Sequence, residues 1–204
     1  MTTSDGSSRA TRWRDLAVAG HTGDVGLARE ALRDADPTAR ELGLGALARA
    51  GVLTDDDLVV ALTDPEAGVR RRATELAAQR PGLDLLPVLH DTDPTVVEVA
   101  AWACGEHEAV RDEVFDRLVE LAGSAEAPLV REACVAALGA IGDPRGLPAI
   151  LHGSRDVPAV RRRAVLALAP FEGDEVEAAI DHALTDRDWQ VRQAAEDLRR
   201  AAGA

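Results

Sequence analysis

The stretch VREACVAALGAIGDPRGLPAILHG, residues 130–153, decides how this chain is read. From Val130 its apolar residues recur at the spacing of one helix face. Gly139 reads as the stop of that helix. Asp143-Pro144 then starts a second, shorter run that ends near His152. Asp before Pro marks a helix start, because the carboxylate accepts an orphan amide and proline fits the first turn. One longer A helix and one shorter B helix make a unit of about thirty residues, the length of a helical repeat.

The opening of this unit recurs along the chain. Ala39-Arg40, Val69-Arg70, Val130-Arg131, Val160-Arg161 and Val191-Arg192 match it, and Val96-Val97 keeps the first position without the arginine. One helical turn on, the column reads Gly43, Ala73, Ala100, Cys134, Ala164 and Ala195, all small. Residues a turn apart share a face, so this column lets neighbouring helices approach closely. A further turn gives Leu47, Ala77, Cys104, Leu138, Leu168 and then Arg199, which places the last helix at an end. The B helices are expected at 55–62, 82–90, 110–121, 144–152 and 174–184, the first capped by Thr54 and Asp57. A degenerate leading pair is expected at 10–19 and 24–34. No alternating strand pattern competes. The expected fold is all-α, a right-handed solenoid of about six helix pairs. Residues 1–8 are expected as a disordered tail and residues 9–204 as a single repeat domain.

Composition narrows the function. All 23 basic residues are arginine, which removes Schiff-base and P-loop lysine chemistry, and the formal net charge is −13. That balance opposes binding to phosphate backbones, so no nucleic-acid partner is expected. No apolar run approaches the ~18 residues of a membrane span. The N-terminal residues are polar, and two cysteines make no disulfide framework. A cytoplasmic protein is the expectation.

The V-R-x-x-A openings and the unit ALGAIGDPRGLPAIL at 137–151 resemble the HEAT-repeat family in its bacterial phycobilisome-lyase-like form, over roughly residues 36–200. The resemblance implies an armadillo/HEAT-like superhelix. It implies that Arg40, Arg70, Arg131, Arg161 and Arg192 stack against acidic residues of neighbouring repeats as a ladder, a role that suits the planar, multiply donating guanidinium. Val97 breaks that ladder, so the third repeat is expected to be loosened or specialised. The resemblance also implies B helices on the concave face.

The chemistry-bearing residues read mostly as structure. HEAT-type deoxyhypusine hydroxylases look relevant, because they hold two irons with several His-Glu pairs placed early in A helices. Here the one such pair, His107-Glu108, follows Gly105 in a turn, and no metal site is expected. Cys104 and Cys134 fall in the inward columns and read as small buried residues rather than nucleophiles. His90 and His152 end B helices, where the dipole favours them. Trp13, Trp102 and Trp189 read as packing residues. No catalytic residue and no cofactor is expected.

One feature stands out. The B helices carry acids: Asp55, Asp56 and Asp57 in the first, Asp84 in the second, Asp112, Glu113, Asp116 and Glu120 in the third, and Asp174, Glu175, Glu177 and Asp181 in the last. The function expected is a non-catalytic scaffold whose acidic concave groove binds a basic protein or peptide segment. The alternative is a HEAT-repeat enzyme of the bilin-lyase or deoxyhypusine-hydroxylase kind.

Overall fold

The computed structural model describes residues 3–107 and 109–202, with the backbone alone at 3–7 and 202. Among these residues the chain is all-helical, without strands, and it divides into two compact units, Met1–Leu83 and Asp84–Ala204.

The first unit packs α1 (Thr3–Thr22), α3 (Pro37–Arg49) and α5 (Ala67–Ala77) as one layer, with α2 (Val25–Ala31) and α4 (Asp55–Ala61) against it. Its core is aliphatic: Leu44, Leu47, Leu58 and Val69 close around Ala46 and Ala73. The expected capping box is present at α4, where Thr54 and Asp57 exchange side-chain and backbone hydrogen bonds. Asp36 caps α3 by accepting from the Thr38 amide at 3.0 Å. The leading helix begins at Thr3 rather than near residue 10, so the helix takes in residues 3–8 of the expected tail.

The second unit repeats the plan. Helices α6 (Pro94–Gly105), α8 (Pro128–Ile141), α10 (Pro158–Ala167) and α12 (Trp189–Ala202) form the A layer; α7 (Asp112–Ser124), α9 (Leu147–Gly153) and α11 (Asp174–Ala183) form the B layer. Both inward columns are buried here: Ala100, Cys134, Ala164 and Ala195, then Cys104, Leu138 and Leu168. Small residues at those places let consecutive A helices come close, which raises packing density without large side chains.

Two expectations about boundaries fail for physical reasons. Gly139 does not stop α8, which runs to Ile141 and ends on Gly142 at φ 69°. Gly139 is a contact point instead: a Cβ there would stand 2.7 Å from the Cα of Ala167 in α10. The B helix expected at 82–90 is only a short 3-10 turn, Val88–His90. Gly82 and Pro87 interrupt it, Pro81 stands just before it, and Asp84 caps a turn by accepting from the Leu86 amide at 3.0 Å.

Candidate functional site

The arginine columns come first, because they fix the loops on which everything else rests. Arg131 grips both carboxylate oxygens of Asp156 at 2.6 and 2.7 Å and donates to the Ala125 carbonyl of its own loop at 2.7 Å. Arg161 does the same to Asp186, at 2.8 and 2.7 Å, and to the Asp156 carbonyl at 2.8 Å. Arg192 closes the series on the Asp186 carbonyl at 2.7 Å. In the first unit Arg40 holds Asp64 at 2.7 Å twice, and Arg70 donates to the Asp64 carbonyl at 2.8 Å. Each rung aspartate therefore binds one arginine by its side chain and the next by its backbone. These bidentate pairs hold the Asp156 and Asp186 carboxyls below the usual carboxylate range. The acceptors Asp64, Asp156 and Asp186 escape the sequence reading. Their signal is an aspartate 24 or 25 residues after the rung arginine.

At the break in the ladder, Val97 is 5% exposed and packed within α6. Six residues before Arg131, where Asp64 precedes Arg70 and Asp186 precedes Arg192, stands Ala125. At this rung the arginine and the aspartate are thus both absent from the sequence.

The acidic candidates fall into two groups. On α7, Asp112, Asp116 and Glu120 form one stripe at four-residue spacing, with Glu113 beside it, all exposed. On α11, Asp174, Glu177 and Asp181 form a second exposed stripe. Asp84 lies beside the first through an ion pair with Arg111 at 2.5 Å. Asp56 belongs to the other unit, where it lines a cavity of about 260 Å³ with Leu32, Leu44 and Ala61.

Several of these carboxylates are already paired. Asp112 meets Arg145 at 2.9 Å, Glu120 meets Arg117 at 2.7 Å, and Arg199 bridges Glu177 and Asp181. Arg199, the odd member of its inward column, thus covers the acids of the last B helix. Glu113, Asp116 and Asp174, and Glu175 beside them, make no ion pair among the described residues. They are the α7 and α11 carboxylates without an internal ion pair among those residues.

Elsewhere the site chemistry is quiet. Cys104 and Cys134 are buried, and burial pushes both thiols up to about 12. No three His, Cys, Asp or Glu side chains converge as a metal cluster among the described residues. His107 is buried; Glu108, and with it the His-Glu pair, lies outside the described residues. Trp13 donates to Asp36 at 2.8 Å, whereas Trp102 and Trp189 are exposed rather than packed. No helix among the described residues is long and apolar enough to cross a membrane.

Comparison with known proteins places this architecture. The model of HEAT repeats matches residues 83–169. No curated protein matches the sequence. Among solved structures the chain is similar to YibA of Escherichia coli, at 20% identity and TM-score 0.62, covering 78% of this chain and 62% of that one. The chain therefore spans less than two thirds of that relative's length. An engineered protein is similar at 19% identity and TM-score 0.61, covering 86% and 96%. A designed armadillo repeat protein solved in complex with the peptide (KR)4 is similar at 17% identity and TM-score 0.55, covering 94% and 98%. At such identities the likeness is one of fold. Residues 83–169 match HEAT repeats, and the fold of the chain is the armadillo/HEAT-like helical repeat.

Proposed function

We propose that this chain is a non-catalytic interaction scaffold of the cytoplasm, built on repeats of the phycobilisome-lyase-like form, and that its acidic B layer holds a basic protein or peptide segment. The observation that carries the reading is where the charge lies. Residues 84–204 hold 23 acids against 12 arginines, so −11 of the formal −13 belongs to this unit. Within it the acids gather on α7 and α11, exposed, while the A layer carries the rung arginines. Like charges one turn apart on a helix repel. A cationic partner relieves that repulsion, and the field of the surface steers it in. Glu113, Asp116, Asp174 and Glu175 make the first contacts; Asp84, Asp112, Glu120, Glu177 and Asp181 add to them by exchanging an internal arginine for one of the partner. Asp56 extends the acidic set in the first unit. The designed armadillo protein solved with (KR)4 supports the reading, since it is a protein of this fold solved with a Lys-Arg peptide.

The test is a titration of the full chain with a fluorescein-labelled (Lys-Arg)4 peptide, read by anisotropy. Binding is expected to saturate at low salt and to weaken by about tenfold or more between about 50 and about 300 mM NaCl, as the Debye length shortens. No binding at low salt, or affinity that ignores salt, contradicts it.

A further inference from the structure

A groove of about 670 Å³ runs between α9 and α11. Its floor is apolar, made by Leu151 on one side and Ala178 and Ala179 on the other. Its two ends differ in charge. Glu175, in the first turn of α11, lines one end, with Asp174 next to it in sequence. His152, Arg155 and His182 line the other. The two histidines stand four residues before the rung aspartates Asp156 and Asp186, so α9 and α11 point the same way and bring their C-terminal ends together there. Arg155 is exposed and has no ion pair among the described residues, although Arg145 and Arg161 on either side of it in sequence are both held by carboxylates. It is a cation without an anion at the end of a groove whose surroundings are acidic.

We infer that this groove takes a segment of the partner that is not uniformly basic: a basic residue, then an apolar residue, then an acidic side chain three positions after the first. From Glu175 to His182 the helix advances seven residues, about 10.5 Å at 1.5 Å each. An extended peptide covers that length in about three residues at ~3.3 Å each. The basic side chain meets Glu175 and Asp174, the apolar one lies over Leu151, Ala178 and Ala179, and the carboxylate meets Arg155. The inference rests on the reading that the acidic B layer captures a basic segment, and it adds the order of chemistry that the segment must have.

Three amidated, fluorescein-labelled peptides test it on the full chain at one low salt concentration: (Lys-Arg)4, (Lys-Arg)3-Lys-Leu-Leu-Glu, and the same peptide ending in Gln. On net charge alone the Glu peptide should bind more weakly than the Gln peptide. The groove reverses that order, and the Glu peptide is expected to bind about fivefold tighter, the scale of one exposed ion pair. Arg155→Gln, at an exposed position, should remove that preference while leaving (Lys-Arg)4 binding in place. Tighter binding of the Gln peptide, or a preference that survives Arg155→Gln, overturns the inference and leaves the acidic surface standing. Failure of all three peptides to bind overturns both.

Discussion

The rung between Arg161 and Asp186 offers the sharpest physical test of how the repeats are held. Both side chains are 8% exposed, and the pair is bidentate. Replacing Arg161 alone, by Arg161→Val, leaves the Asp186 carboxylate buried with one backbone amide, that of Asp188, as its remaining donor. Breaking a buried pair from one side costs about 3–5 kcal/mol, because the stranded charge keeps its desolvation penalty. Asp186→Ala strands the guanidinium and should cost a similar amount. The double variant removes both charges and both penalties, so it should cost less than either single change, and the coupling then exceeds the larger single cost, about 3–5 kcal/mol. The chain already contains the product of that experiment, in Val97 and Ala125. Urea unfolding followed by circular dichroism reads it out. Each single variant should lower the midpoint by about 1 M or more, at an m-value near 3 kcal/mol/M, and the double variant should recover most of that. Single costs below about 1 kcal/mol that simply add in the double variant would refute this account of the ladder.

The same carboxyls set an acid limit. Hydrogen bonds from Arg131 and Arg161 depress the folded-state pKa of Asp156 and Asp186. Their contribution to stability is therefore present above the unfolded value of about 3.9 and disappears as pH falls through the lower folded value; urea midpoints should hold from pH 7 to about 5 and drop below about 4, and the drop should shrink in the Arg161→Val/Asp186→Ala variant. Gly139→Ala should cost about 1–3 kcal/mol, because its methyl group meets the backbone of Ala167, whereas Gly123→Ala in the open part of α7 should be neutral or stabilising by up to about 1 kcal/mol. Cys104 and Cys134 should react with a thiol reagent at neutral pH only on the timescale of unfolding, since burial both hides them and pushes their pKa up to about 12; rapid labelling of the folded chain would count against the packing of α6 against α8.

The repeat was legible in the sequence because it rests on columns. Small residues at Ala100, Cys134, Ala164 and Ala195 recur one turn after each opening, and a helix face forces recurring positions into one environment. The arginine ladder was legible for its donors and not for its acceptors, because Asp156 and Asp186 come from loops about 25 residues away and look like any other turn aspartate. Gly139 misled because a glycine near a helix end serves equally as a stop or as a site of close approach, and only the position of Ala167 decides between them. The segment 82–90 misled because its leucines keep a helical rhythm that Pro87 interrupts. For the acidic surface the sequence supplied every residue but not their partners. Arg111, Arg145 and Arg199 reach Asp84, Asp112 and the α11 stripe across gaps of 18 to 33 residues, and charge counting along the chain does not see such pairs.

The central claim is that the unpaired carboxylates of α7 and α11 capture a basic segment. Its most direct test is the variant Glu113→Gln/Asp116→Asn/Asp174→Asn/Glu175→Gln, compared with the unaltered chain for (Lys-Arg)4 binding at low salt. A control neutralises four exposed acids outside those two helices, Asp15, Glu30, Glu66 and Glu172. The account predicts binding weakened by about tenfold or more in the first variant, with its circular dichroism unchanged, and by no more than about twofold in the control. Equal affinity in the first variant and the unaltered chain, or equal losses in the two variants, would contradict it.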